Sequence, residues 1–344
     1  MLKGDMMLRA ILFVLLTFIL TVFIIGKLLS VNPYKGTSTH LEQQIFVNSP
    51  KTNKGSLGRA LAWMLTRRPP VWNQQSYELK GALPKHINAG IKVTPIIHAS
   101  VLIQLPGINI ITDPIWSERA SPFSFIGPKR VYTPPIKIED LPPIDMVLIS
   151  HNHYDHMDVK TLIKLKQLYD PEFITGLGNK DYLERQGLSR VHELDWWQSF
   201  KDVTFLPAQH FSGRGLFDRN YTLWGGFAIK TKESYIYFAG DTGYGPFLKE
   251  INARLGAPKM AILPIGAFMP RDFMQAMHMN PDDAVIAMND LKAERAIGIH
   301  FDSFARLADE PQFSAKLELT KALKSRNIPL ERFIAPIPGK TIDL

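Results

Sequence analysis

Apolar and polar residues fall into three successive patterns along the chain. Ala10 to Gly26 is an apolar run of 17 residues without a charge. A helix needs about 17–25 such residues to cross a bilayer, so the run predicts a transmembrane helix. Over 31–55, Asn, Pro, Gly, Ser and Thr interrupt any periodicity, and this part reads as loop. A short amphipathic helix follows, with Leu57, Ala60, Leu61, Met64 and Leu65 on one face. Arg67, Arg68 and two prolines stop it. Its apolar face is suited either to a lipid surface or to docking on the rest of the chain.

Past residue 90, short runs rich in Ile and Val alternate with helical periodicity. They predict strands over 91–97, 101–105, 108–112, 146–150, 203–206, 226–230, 235–239, 260–264 and 296–299. Pro106-Gly107 marks a turn between the second and third. Helices are predicted over 159–168, 246–255, 281–291 and 311–325. Pro281 and Pro311 would sit in the first turns of the last two, where proline is accepted. The fold class is therefore mixed α/β (α+β), with strands that open antiparallel and later alternate with helices.

The chain divides into a membrane anchor over 1–30, a basic tether over 31–90 and one large domain over 91–344. Charge supports the division. Residues 1–90 carry 11 Lys and Arg against 3 Asp and Glu, whereas the remainder carries 29 of each. The formal net charge of +8 thus belongs to the N-terminal quarter, beside the apolar run. That placement suits an anionic lipid surface or a solvated linker that happens to be basic, and not nucleic acid, which calls for a basic folded domain. A secretory signal is disfavoured, because the run exceeds its usual core of about 7–15 residues and no small-residue cleavage site follows. The expected location is a single pass in a bacterial inner membrane. The near-equal flanks, Lys3 and Arg9 against Lys27 and Lys35, leave orientation open. Oligomeric state is equally open, with a homodimer allowed. The chain has no cysteine, so disulfides, thiol nucleophiles and Cys-based metal sites are excluded, and any metal must bind through His, Asp or Glu.

Such a site is written at the end of the strand over 146–150. There the chain reads His151-Asn152-His153-Tyr154-Asp155-His156. His151 and His153 alternate by two and project to one side of an extended loop. Asp155 and His156 follow, where the chain turns towards a helix. Buried imidazoles and a carboxylate are costly alone, and a divalent ion relieves that cost. Three more candidates close later strands: His210, Asp241 and His300. Open sheets place active sites at such strand ends. These N and O donors suit two Zn²⁺, with Mn²⁺ or Fe as alternatives.

The string and the later His, Asp and His resemble the metallo-β-lactamase-fold hydrolases. Further stretches resemble one branch, the N-acyl-phosphatidylethanolamine-hydrolysing phospholipase D family. They are 112–115 (Thr-Asp-Pro-Ile), 119–122 (Arg-Ala-Ser-Pro), 127–130 (Gly-Pro-Lys-Arg), 238–244, 264–267 and His278-x-x-Pro281. The resemblance implies an αββα sandwich, with His151, His153 and His210 on one zinc and Asp155, His156 and His300 on the other. Asp241 would bridge them. It also implies a phospholipid substrate and cleavage on the head-group side of the phosphodiester. The N-terminal anchor departs from the animal enzymes of the family.

Two such metals share a water and lower its pKa toward about 7, giving a hydroxide for in-line attack at phosphorus. Asp155 and Asp241 hold that centre. His278 is a candidate helper beside the substrate, or a surface His at a helix start. His98, after an apolar strand, would orient a ligand or serve as a core residue. Two other readings compete. The same fold would serve a lactonase or other carboxylic ester hydrolase, and zinc would also stabilise an anchored protein without activity.

Overall fold

A computed structural model describes residues 2–52 and 57–344. Strand residues alternate between two apolar surfaces, as a pleated strand buried on both faces must. In Met146–Ile149, Met146 and Leu148 face one core while Val147 and Ile149 face another. In Tyr235–Phe238, Ile236 and Phe238 share the first core and Tyr235 and Tyr237 enter a third. Three stacked cores need two sheets between two helical layers, and that is the αββα sandwich.

The first sheet holds β1 (Lys92–Ile97), β2 (Ser100–Leu105), β3 (Ile108–Thr112), β4 (Met146–Ile149), β5 (Glu172–Gly176) and β6 (Val191–Leu194). The second holds β7 (Ser199–Phe200), β8 (Val203–Leu206), β9 (Gly226–Lys230), β10 (Tyr235–Phe238), β11 (Met260–Pro264), β12 (Arg295–Ile299) and β13 (Phe333–Ile334). β14 (Ile342–Asp343) returns to pair with β1 at the edge of the first sheet. β1–β2–β3 are antiparallel and β3–β4–β5–β6 parallel. The second sheet repeats the plan, antiparallel from β7 to β10 and parallel from β10 to β13.

α1 (Leu2–Leu29) carries the long apolar run, and α2 is Leu57–Thr66. α3 (Val159–Tyr169) and α4 (Lys180–Arg185) flank the first sheet. α5 (Phe247–Leu255), α7 (Pro281–Asp290) and α8 (Ser314–Ser325) cover the second. α6 (Arg271–Met274) is a single turn. Pro281 opens α7 behind a capping box of Asn280 and Asp283. Pro311 does not open α8. The helix starts at Ser314, because Phe313 before it is left-handed with φ 68°.

The expected tether is not free. Phe46 is fully buried in the inter-sheet core, Val31 is buried, and Trp72, Tyr77, Leu79 and Leu83 pack on the first sheet's helical side. Outside α2, the apolar runs between 31 and 90 are too short to predict a strand or helix, yet they supply cover for the sandwich. α2 docks through residues outside its predicted face. The Trp63 indole N–H donates to Asp309, and Arg67 pairs with Asp309 at 2.9 Å. Met64 and Leu65 point outwards, and the side chains of Leu57, Ala60 and Leu61 lie outside the described part.

Candidate metal centre

The site lies where the carboxyl ends of strands from both sheets meet. β4 ends at Ile149 and releases the string from His151 to His156. His151 Nε2 lies 2.8 Å from His153 Nδ1, and His210 Nε2 lies 3.3 Å from the same atom. These three imidazoles surround one point. A second group gathers Asp155, His156, His300 and His98. Asp155 Oδ2 is 3.3 Å from His300 Nε2 and 3.5 Å from His156 Nε2. Asp241, just past β10, joins the two. Its Oδ2 stands 3.0 Å from His300 Nε2, 3.2 Å from His156 Nε2 and 3.8 Å from His210 Nε2.

All seven side chains expected at the centre therefore converge. His278 joins them, with Nδ1 3.8 Å from Asp241 Oδ2, so it is not a surface residue. His98 is fully enclosed. Its Nε2 meets Asp155 Oδ2 at 3.0 Å and its Nδ1 meets Ser303 Oγ at 2.7 Å, which fixes how Asp155 points.

One residue without an assigned role organises the whole string. Asp113, directly after β3, is fully buried. Its Oδ1 accepts the backbone N–H of Ser150 at 2.7 Å. Its Oδ2 accepts Ser150 Oγ at 2.6 Å and faces His156 Nδ1 at 2.7 Å. Ser150 Oγ in turn faces His151 Nδ1 at 2.9 Å. The carboxylate accepts only, so both histidines donate through Nδ1 and turn Nε2 towards the centre. The sequence signal was available: an acid closing the apolar strand INIIT is the same signal that singled out Asp241.

The backbone is strained to make this fit. His98, Asp113 and His300 all have positive φ, 57°, 34° and 62°. Each such non-glycine residue costs about 1–3 kcal/mol and persists only where its surroundings impose it. Gly266 shows the same crowding, since a Cβ there would lie 2.0 Å from the His300 carbonyl oxygen.

Electrostatics match a cation site. Burial pushes His153 and His98 down to about 3, and His278 to about 4. Burial alone would also lower His300, but the Asp241 and Asp155 carboxylates lift it to about 9. His156 is likewise raised against its burial by Asp241, Asp155 and Asp113. The donor atoms His156 Nε2, His300 Nε2 and Asp241 Oδ1 are buried and have no hydrogen-bond partner among the described residues. Buried orphans of this kind are rare, and N and O donors converging on one spot fit divalent metal ions. His151, His153 and His210, with Asp155, His156 and His300, would hold them around Asp241. A cation must displace the protons that the carboxylates otherwise hold on His300 and His156. Metal affinity therefore rises with pH for as long as those two imidazoles hold their protons. Chelator competition on the full chain at three pH values is expected to show about tenfold tighter binding per pH unit for each proton displaced. A flat profile contradicts this.

Comparison with known proteins agrees with the geometry. Residues 108–301 match the family described as beta-lactamase superfamily domain. The N-acyl-phosphatidylethanolamine-hydrolyzing phospholipase D 1 of Caenorhabditis elegans is 38% identical over 257 residues, which cover 70% of this chain and 72% of that protein. The mitochondrial N-acyl-phosphatidylethanolamine-hydrolyzing phospholipase D of Saccharomyces cerevisiae is 35% identical over 209 residues, 58% of this chain and 44% of that protein. A solved metallo hydrolase from the archaeon Ignicoccus hospitalis shares the fold, with a TM-score of 0.56 at 21% identity, over 74% of this chain and 99% of that one. A sandwich of this topology, a His and Asp cluster at its strand ends and these relatives lead to one assignment. The chain belongs to the metallo-β-lactamase-fold hydrolases, in the N-acyl-phosphatidylethanolamine-hydrolysing phospholipase D family.

Proposed function

We propose that the chain is a dinuclear zinc phosphodiesterase of phospholipase D type, acting on N-acyl-phosphatidylethanolamine-like lipids from a membrane anchor formed by α1. The observation that carries this reading is the 38% identity to a relative named for that reaction. The site supports it through its donors and through the space beside them. A cleft of about 900 Å³ opens next to His210, between residues 42–52 and the α6 region.

Divalent ions held by His151, His153 and His210 and by Asp155, His156 and His300 around Asp241 would activate water at neutral pH and offset charge on phosphoryl oxygens. The protein does the rest. Asp241 and Asp155 keep the histidines facing one point, and His98 with Ser303 holds Asp155 in place. A water oxygen bonds to phosphorus, the bond from phosphorus to the head-group oxygen breaks, and that oxygen takes up a proton. The products are phosphatidic acid and an N-acylated amino alcohol. His278 is neutral near pH 7, because burial holds it at about 4. It therefore donates a hydrogen bond to a phosphoryl oxygen and does not deliver a full proton.

Arg219 is the cation in the cleft placed to contact an anionic substrate group, although the lining carries Asp272 as well. In the cleft, Lys51 pairs with Glu42 and Arg271 with Asp283. The Arg219 guanidinium instead stacks over Phe211 at 4.2 Å and meets no carboxylate among the described residues. Phe211 in turn packs against His153, with ring centres 4.4 Å apart. Arg219→Ala is expected to raise KM for a charged phospholipid about tenfold, with kcat within about twofold, since one exposed charge-assisted contact is worth roughly 1.5 kcal/mol. Equal KM for variant and parent contradicts the role.

The reading as a whole is tested by product analysis. Metal-loaded full chain is incubated with mixed phospholipids that include an N-acyl-phosphatidylethanolamine. Release of phosphatidic acid with an N-acylated amino alcohol is the expected result. Turnover of a lactone with none of the diester refutes it.

A further inference from the structure

The last turns of α1 dock against the loop that follows His210. The rings of Phe23 and Phe217 stand 5.0 Å apart. A Cβ on Gly26 would come within 2.6 Å of Leu216 Cδ1, and one on Gly215 within 2.2 Å of Ser30 Oγ. Helix and loop meet there with no room for a side chain on either glycine. The backbone N–H of Val31, just past the helix, donates to Asp218 Oδ2 at 2.9 Å.

This loop also grips the metal-bearing string. Asp218 Oδ1 accepts the backbone N–H of Arg214 at 3.1 Å and of Gly215 at 2.8 Å. The Arg214 guanidinium donates to the carbonyls of Asn152 at 2.8 Å and Met157 at 3.0 Å. Gly213 N–H donates to Asn152 Oδ1 at 2.8 Å. The end of α1 is thus tied through two residues, Asp218 and Arg214, to both sides of the string.

The loop's apolar tip nevertheless points away from the protein. Leu216 is 63% exposed and Phe217 40%. Exposed apolar side chains beside a helix whose spanning window, Arg9–Leu29, is only 6% buried form one continuous apolar surface. The position along the helix decides what covers that surface. Phe23, the partner of Phe217, precedes Leu29 by six residues, which is about 9 Å along the axis. A helix that spans a bilayer holds that depth inside the hydrocarbon. Arg219 follows two residues later, where an exposed cation meets the anionic head groups.

We propose that residues 211–219 form a lip inserted in the bilayer, with Leu216 and Phe217 entering lipid alongside α1 so that the metal centre opens directly on the membrane surface. The inference rests on α1 being the anchor proposed above. The anchor then sets the orientation of the site as well as its address.

The chain has no cysteine, so single-cysteine variants take up one label each. Phe13→Cys on α1, Leu216→Cys at the lip and Lys232→Cys are labelled with an environment-sensitive fluorophore. Lys232 lies at the tip of the β9–β10 hairpin, at the end of β10 remote from Asp241. Each full-length protein is placed in vesicles of phosphatidylcholine and phosphatidylglycerol. Labels at 13 and 216 are expected to be quenched by acyl-chain nitroxide about threefold more than the label at 232, and to be shielded from iodide. A label at 216 that behaves like 232 while 13 is quenched overturns the lip and spares the anchor. A label at 13 that behaves like 232 overturns both.

Discussion

Asp241→Asn is expected to lower kcat/KM on a phospholipid diester by on the order of 10³ or more, with the fold retained. Asp241 Oδ2 is the atom shared by both ligand groups, within 3.8 Å of His156, His210, His278 and His300. An amide has the same size but no charge, and one of its two polar atoms is a donor. The variant loses the attraction that organises four imidazoles, and a metal pair contributes several kcal/mol to the transition state, each 1.4 kcal/mol being about tenfold in rate. Stability is affected far less. The inter-sheet core runs through Phe205, Trp224, Phe227 and Phe238, and none of its packing depends on Asp241. Circular dichroism and thermal unfolding check the fold, elemental analysis counts the metal, and steady-state kinetics give the rate. Full activity with full metal content would remove Asp241 from the bridging position.

Asp113→Asn is expected to give the second largest loss, about 10–100-fold in metal affinity or activity. The residue touches no substrate; it acts by positioning. As a carboxylate it accepts from Ser150 Oγ and faces His156 Nδ1, and through Ser150 it reaches His151 Nδ1. Asparagine presents an NH₂ to one of these partners. His156 must then accept at Nδ1 and carry its proton on Nε2, where the ion should bind. The Ser150 hydroxyl loses its acceptor in the same step and ceases to fix the His151 tautomer. One substitution therefore weakens a ligand in each group. The expected signature is loss of bound metal that excess zinc partly restores, with kcat recovering alongside. A structural role alone would lower the unfolding temperature and leave metal content unchanged.

The sequence was legible wherever a local pattern coincides with burial. β2, β3 and β8 through β11 are runs of alternating or continuous apolar residues, and their ends fell within about a residue of expectation. β5 and β6, with α4 between them, escaped. β6 reads Val-His-Glu-Leu, an edge strand whose His192 and Glu193 are half-buried, so no apolar run marks it. β5 follows Pro171 and ends at Gly176, with only three apolar or β-branched residues between its termini. Pro311 misled for a related reason: proline suits a first turn, but the left-handed Phe313 lies between it and the helix.

The candidate site divides along the same line. His151, His153, Asp155 and His156 are neighbours in the chain, and their spacing alone puts them in one loop. His278 lacked that support, and only the structure takes it to within 3.8 Å of Asp241. Asp113 went without a role for the same reason, since its partners Ser150 and His156 are 37 and 43 residues away.

By itself, then, the sequence determined the alternation of strands and helices, the apolar N-terminal helix and the ligand string after β4. These are written in periodicity and adjacency, which act over a few residues. Tertiary structure alone decided that the ends of β1 and β3, with His98 and Asp113, meet the end of β4, and that the loop beyond His210 lies against α1. Strand order and register come from burying both faces of two sheets at once, a sum over contacts between residues far apart in the chain. No single segment carries that information, so the partners of Asp113 became visible only when the sheets were assembled.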